Sequence, residues 1–117
     1  MSAMALVLAG HLIGDWIAQT DHQAANKTTS WKAMHGHCAT YHLVMAAFVA
    51  PVWPDWRLAV LLAVSYATHA FIDRRWPVRW LLARTGSPAF AEQMWGVIAA
   101  DQALHLAILL VLVAAMA

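Results

Sequence analysis

Four apolar segments account for most of the sequence, and their lengths limit the folds that are open to it. They cover roughly Ala3–Thr20, His35–Val52, Arg57–Ile72 and Met94–Ala117. A helix that crosses a bilayer needs about 20 mainly apolar residues, so the third segment only just reaches across. Hydrophobic residues make up 62% of the chain and charged residues 11%, whereas soluble domains carry about 25% charged residues. The pattern predicts an all-α, integral membrane four-helix bundle, with residues 1–117 forming a single domain.

Polar and proline-containing connections separate these segments. Residues 21–34 are polar and could form a short helical excursion. Residues 53–56 predict a tight turn, because Pro54 cannot continue a helix. Between the third and fourth segments, the stretch PVRWLLAR has Pro77 in its first turn and Gly86 beyond its end. That arrangement predicts a short interfacial helix between helices three and four.

Basic residues lie on one side of the predicted bundle and give its orientation. Arg57 stands alone on the opposite side. By the positive-inside rule, both termini lie outside and the two long loops lie in the cytoplasm, which predicts a multi-pass protein of the cytoplasmic (inner) membrane. The arginines between the third and fourth segments could also bind anionic lipid headgroups. The residues on the basic side are Lys27, Lys32, Arg74, Arg75, Arg79 and Arg84.

The overall charge limits the expected partners. The formal net charge of +1 provides no basic field for nucleic acid, and none is expected as a partner. The lipid bilayer is the expected partner, and a homo-oligomer is a further expectation.

Ionisable side chains interrupt three of the apolar segments at helical spacing. Side chains four residues apart share one face of a helix. In the predicted topology all three pairs, together with a histidine of the second segment, fall in one layer in the inner half of the membrane. Each ionisable group there costs about 2.5–3.5 kcal/mol, so such groups face the bundle interior and pair with each other or with an ion. The pairs are His11 with Asp15, His69 with Asp73, and Asp101 with His105.

This layer predicts a metal site near the cytoplasmic face. Imidazole and carboxylate ligands suit transition metals, with zinc expected first and iron second. Four-helix bundles build two-metal sites from similar ligands, so one or two ions are expected. Asp15, Asp73 and Asp101 are the predicted catalytic residues, as ligands or as a general base. Tyr41 could donate a hydrogen bond into the site. The predicted ligands are His11, Asp15, His37, His69, Asp73, Asp101 and His105.

Several functions remain open on these residues. A bound zinc ion lowers the pKa of its water to about 7, which would suit a membrane-embedded metal-dependent hydrolase. The same ion could serve sensing, storage or structural stapling without any reaction. A metal-free network could carry protons or ions, or belong to a phage-type effector such as a superinfection-exclusion protein or a holin. The apolar outer halves of the second and fourth segments argue against a continuous pore within one chain, although an oligomer could form one.

Four motifs together resemble a known family. They are HLIGDWIAQTDHQAANK at 11–27, HCATY at 37–41, THAFIDRR at 68–75 and AADQALH at 99–105. In this order they are similar to the family labelled domain of unknown function 3307, particularly its actinobacterial and actinophage members. The resemblance implies a small multi-spanning membrane protein of bacteria or phage, and it implies no established activity. A looser likeness to membrane-bound metal-dependent hydrolases is analogy alone.

The resemblance also marks motif positions beyond the predicted ligands. By it, Gln19 and Gln102 are expected to orient the ligands, as Tyr41 is. The motif positions are His11, Asp15, Gln19, Asp21, Lys27, His37, Tyr41, His69, Asp73, Asp101, Gln102 and His105.

Overall fold

The computed structural model describes residues 1–117 and contains only helices. Seven are α-helices, one five-residue turn is π-helical, and there are no strands, which confirms the all-α prediction. The α-helices are α1 (Ala3–Leu12), α2 (Asp21–Asn26), α3 (Trp31–Val49), α4 (Trp56–Asp73), α5 (Trp76–Arg84), α6 (Pro88–Ala91) and α7 (Met94–Met116), and the π-helical turn Ile13–Ile17 follows α1 directly.

The four long segments pack as a closed ring. α1 with its π-helical turn contacts α3 and α7, and α4 contacts the same two helices from the other side. The short helices lie on this ring: α2 packs on α3, and α5 packs on α4 and α7. α5 is the short helix predicted between the third and fourth segments, and Pro77 stands in its first turn.

Helix caps explain where the observed segments depart from the predicted ones. The first segment ends at Ile17, because Thr20 and Gln23 form a capping box that begins α2. The second begins at Trp31, four residues before the predicted His35, because the Ser30 hydroxyl accepts a hydrogen bond from the backbone N–H of Ala33.

The interior of the ring has an apolar half and a polar half. On α7 every fourth residue is buried, and the stripe changes from Asp101 and His105 to Leu109 and Val113 along the helix. The apolar residues join a core cluster that reaches the turn at Trp53. The polar residues point into the other half, beside α2 and the π-helical turn. The fold therefore encloses ionisable side chains at one end of the ring.

One helix is long and apolar enough to cross a membrane. α7 has 23 residues and a mean hydropathy of 2.2 over its most apolar stretch, of which 28% is buried within the protein. The stretch Ala3–Ile17 is apolar but shorter. The sequence predicted four spans, so this criterion supports the fourth of them alone.

A glycine in the π-helical turn lets α3 approach closely. A Cβ atom added at Gly14 would lie 2.9 Å from Cδ2 of Tyr41 and 3.3 Å from its carbonyl oxygen. Tyr41 is fully buried at the boundary between the apolar and polar halves. The contact therefore holds the π-helical turn, with Asp15 on it, against α3.

We expect Gly14→Ala to destabilise the fold by about 1–3 kcal/mol, because the added methyl group must displace α3 or the Tyr41 ring. Chemical unfolding in mild detergent measures the change. Gly86→Ala is the matched control, since a Cβ there meets nothing within 4 Å. Equal stability of the two variants would contradict this account of the packing.

Candidate metal centre

Three elements bring four buried ligand atoms together. Asp15 comes from the π-helical turn, His37 from α3, and His69 and Asp73 from α4. One ligand atom from each side chain lies within 4.8 Å of all the others, and all four residues are buried. We call these four residues the first group. These residues are far apart in the sequence, and the fold brings them together in space.

The spacing within the first group is close to that of the ligands around a small tetrahedral ion. Nε2 of His37 lies 2.9 Å from Nε2 of His69, 3.0 Å from Oδ2 of Asp73 and 3.2 Å from Oδ1 of Asp15. Nε2 of His69 lies 3.1 Å from Oδ2 of Asp73 and 3.7 Å from Oδ1 of Asp15. Tetrahedral ligands about 2.0–2.2 Å from zinc are about 3.3–3.6 Å apart. Four of the observed distances are shorter than this range and one is longer, so the ligands would move apart by a few tenths of an ångström around an ion. The first group could hold a metal ion.

A second group shares the Asp73 carboxylate. Nε2 of His105 lies 3.0 Å from Oδ1 of Asp73 and 2.8 Å from Oδ1 of Asp101, and the three ligand atoms lie within 4.8 Å of one another. Asp73 therefore turns one oxygen to each group. A carboxylate between two ligand sets is a recurrent arrangement in two-metal centres, so this group could hold an ion as well.

A buried lysine completes the charge of the site. Nζ of Lys27 lies 2.8 Å from Oδ2 of Asp73 and 4.0 Å from Oδ1 of Asp15, and the residue is 5% exposed. Three ionised carboxylates and one ammonium leave a charge of −2 when the histidines are neutral. Uncompensated buried charge is costly. A divalent cation would neutralise the site, as would protonation of two histidines.

Two carboxylate oxygens point into the centre without a hydrogen bond. Oδ1 of Asp15 and Oδ1 of Asp101 are buried, and their short contacts with Nε2 of His37 (3.2 Å) and Nε2 of His105 (2.8 Å) lack the angles of a hydrogen bond. Buried polar atoms are nearly always hydrogen-bonded, so these two call for a specific partner. One of the oxygens belongs to each group, where a bound cation would satisfy it.

His11 lies outside both groups, which corrects its predicted place among the ligands. Its Nδ1 lies 2.8 Å from the Tyr41 hydroxyl and its Nε2 lies 2.9 Å from Oε1 of Gln102. The amide nitrogen of Gln102 in turn donates to Oδ2 of Asp15 over 2.8 Å. A π-helix has more residues per turn than an α-helix. In the π-helical turn, Asp15 therefore no longer lies on the helix face that carries His11. His11 reaches Asp15 through Gln102.

The expected orienting residues have different roles in the structure. Tyr41 and Gln102 lie in this hydrogen-bonded chain, one on each side of His11. Since an amide oxygen can only accept, Nε2 of His11 carries the proton and the Tyr41 hydroxyl donates to Nδ1. Gln19 makes no such bond: its buried Oε1 has no partner, and it lines a cleft instead.

That cleft opens onto both groups. It is small, about 70 Å³, and mostly polar. Asp73, Asp15 and Asp101 line the cleft, so a solute that enters it reaches carboxylates of both groups. The lining residues are Asp15, Trp16, Gln19, Lys27, Asp73, Arg75, Ile98, Asp101 and Gln102.

Residue spacing in the sequence does not show that Lys27 and Arg75 line this cleft. Lys27 lies in a polar connection, where a lysine is usually solvated, and only the family resemblance singled it out. The return of the chain after α2 carries its side chain inward to Asp73. Arg75 belonged to a set of basic residues that the positive-inside rule already explained.

Comparison with known proteins shows the family to which the chain belongs. The model of the family described as "Protein of unknown function (DUF3307)" matches residues 3–117. No curated protein and no solved structure matches the chain at a significant level.

We expect Lys27→Met to destabilise the metal-free protein by about 3–5 kcal/mol, because the substitution leaves two buried carboxylates without their ammonium partner. Chemical unfolding in detergent with a chelator present measures this loss. Lys32→Met, at an exposed position, is the control. Adding Asp15→Asn to Lys27→Met should recover part of the lost stability. Equal losses of stability in Lys27→Met and Lys32→Met would contradict the buried ion pair.

Proposed function

We propose that this chain, which belongs to the DUF3307 family, is a membrane protein with a divalent metal centre. The function of the family is unknown, so the proposal is argued from the buried site. The observation that carries the proposal is the first group. Four buried ligand atoms from Asp15, His37, His69 and Asp73 lie within 4.8 Å of one another, close enough to bind one ion together.

Zinc fits this ligand set best, and iron is the second choice. Two imidazole nitrogens and two carboxylate oxygens suit zinc in four-coordinate sites. A single divalent ion also balances the −2 charge left by the three carboxylates and Lys27. We expect one tightly bound ion in the first group, and weaker binding of a further ion in the second.

The difference between the two groups supports a hydrolytic role. The first group supplies four protein ligands and closes a tetrahedral site, as structural zinc sites do. The second, with Asp73, Asp101 and His105, supplies three and so leaves a position open at the cleft. A metal ion at such an open position lowers the pKa of its water and generates a nucleophile near neutral pH. Asp101 lines the cleft at this position, and its carboxylate oxygen that does not bind the ion would accept the proton of that water.

A metal-free network is the second candidate, because several of the distances in the site are also those of hydrogen bonds. His105 contacts Asp101 and Asp73 at hydrogen-bond range, and His37 contacts Asp73 similarly. Two of these histidines, if protonated, would balance the carboxylates without a metal. The site would then hold the helices together or move protons, and measured metal content separates the two candidates. No observation bears on the phage-type effector.

Metal analysis of the purified protein tests the proposal. We expect one to two zinc or iron ions per chain by plasma mass spectrometry of untagged protein prepared without chelator. His69→Ala and Asp73→Ala should lose the ion, because both supply atoms of the first group. His42→Gln is the matched control: this histidine is buried but bonds only the Cys38 carbonyl and Ser65. Wild-type protein without stoichiometric metal would overturn the metal centre and leave the metal-free network.

The distribution of apolar residues supports a place in the bilayer. The buried set includes ten polar or charged residues among 28, while 18 large hydrophobic residues are exposed. Water-soluble proteins rarely bury charged residues fully and rarely expose large contiguous apolar surfaces. An apolar groove between α4, α5 and α7, lined by Phe71, Trp76, Trp80 and Leu104, adds to the outward-facing apolar surface. Lipid would cover these residues in a four-span arrangement.

The basic residues support the orientation with both termini outside. Arg74, Arg75, Arg79 and Arg84 lie on or beside α5, where Trp76 and Trp80 are exposed. Tryptophan and arginine together are typical of the cytoplasmic interface, where arginines can meet anionic headgroups.

Cysteine accessibility tests this topology. In a Cys38→Ala background, we expect Ser2→Cys to react with a membrane-impermeant maleimide in intact spheroplasts. Ser87→Cys should react only after lysis, because the connection between α5 and α6 lies inside in the proposed orientation. Both residues are exposed, so burial does not limit either reaction. Equal labelling of the two before lysis, or recovery of the protein in the soluble fraction, would contradict the arrangement.

A further inference from the structure

Arg75 has a backbone conformation that calls for an explanation. Its φ is 67°, and it is the only residue other than glycine with a positive φ in the chain. The left-handed region is unfavourable for a side chain with a Cβ atom, and such strain is concentrated at functional sites. A glycine would adopt this conformation without strain. The arginine side chain is therefore present despite a cost to the backbone.

The guanidinium of Arg75 lacks the partners that most other arginines have. Arg74 stacks on the Trp31 ring at 4.1 Å, and Arg57 pairs with Asp55 at 2.7 Å. Arg75 takes part in none of the ion pairs, its Nε is buried without a hydrogen bond, and its Nη1 contacts only the Met94 sulfur at 3.8 Å. Its donors are available to a ligand.

Arg75 also lines the polar cleft that opens onto the metal centre. We propose that Arg75 is the anion-binding residue of this cleft and that it holds a tetrahedral oxyanion, such as a phosphoryl group, beside the second group. The proposal rests on the metal centre proposed above. It names the substrate class of that centre as phosphorylated or similarly anionic compounds.

Charge explains why anion and metal must bind together. Asp15, Asp73 and Asp101 outnumber the cations Lys27 and Arg75, so the metal-free cleft carries a charge of −1 and repels anions. One divalent ion changes this charge to +1. The planar guanidinium can then bind two oxygens of an oxyanion, while a third oxygen faces the open position beside Asp101.

Phosphate titration of the metal-loaded protein tests the proposal. By isothermal titration calorimetry in detergent, we expect inorganic phosphate to bind the zinc-loaded wild type and not the chelator-treated protein. Arg75→Ala and Arg75→Gly should weaken binding by about tenfold or more, and Arg75→Lys by less, because lysine retains the charge but not the fork. Arg79→Ala, at an exposed position of α5, should bind as the wild type does.

Two controls separate a local effect from failure of the fold or of the metal centre. Arg75→Gly relieves the positive φ, so its unfolding midpoint should be no lower than that of the wild type. Metal content should be unchanged in every Arg75 variant, since this residue is not a ligand. Wild type without metal would mean that the proposed function fails. Metal-loaded wild type that binds no phosphate, or Arg75→Ala that binds it normally, would overturn the anion site alone.

A lipid arm identifies the source of the oxyanion. The same variants in nanodiscs containing phosphatidic acid, compared with phosphatidylcholine alone, show whether a phosphate monoester headgroup competes with inorganic phosphate. Competition that requires Arg75 supports a lipid substrate, and phosphate binding without such competition supports a water-soluble one. Competition that is independent of Arg75 contradicts its role in headgroup binding.

Discussion

The Asp73 carboxylate is the contact on which the polar half of this protein depends. Its Oδ2 lies within about 3 Å of Lys27, His37 and His69, and its Oδ1 within 3.0 Å of His105. These partners come from the connection after α2, from α3, from α4 itself and from α7. One buried anion therefore ties together elements that elsewhere meet through separate apolar clusters. Each partner is a cation or can become one, so the positions of the helices and the charge balance of the site are set together.

Helical periodicity made most of this site predictable, since six of the seven predicted ligands lie in the two groups. Residues four apart on a regular helix share a face, and the pairs His69 with Asp73 and Asp101 with His105 do contact each other. The same reasoning misplaced His11, because the π-helical turn changes the winding between it and Asp15. Nothing in the sequence GHLIGDWIA identifies that turn by spacing alone. In the structure this turn packs closely against α3, where Tyr41 approaches Gly14.

The residues that sequence reasoning missed lie outside the long helices. Lys27 follows α2 and Arg75 precedes α5, and the side-chain direction of a connection depends on how the chain returns to the ring. Segment boundaries differed for a related reason: Thr20 and Ser30 begin new helices through side-chain hydrogen bonds that apolar composition does not reveal. The order and type of the long elements follow from hydrophobic pattern, whereas the cations that complete the site depend on tertiary structure.

The sharing of Asp73 has a consequence for how the two groups would work. An ion in the first group would withdraw electron density from this carboxylate, which would weaken the ligand that the second group receives through Oδ1. The second group would then bind its ion less tightly and keep its open position, as a catalytic site requires. The cleft reaches this weaker group through Asp101, and the unpaired guanidinium of Arg75 lies on the same cleft. In the proposed centre, one buried carboxylate would thus serve both a fully coordinated ion that fixes the helices and a second ion with an open position for an anion. Only the second of these roles would involve Arg75.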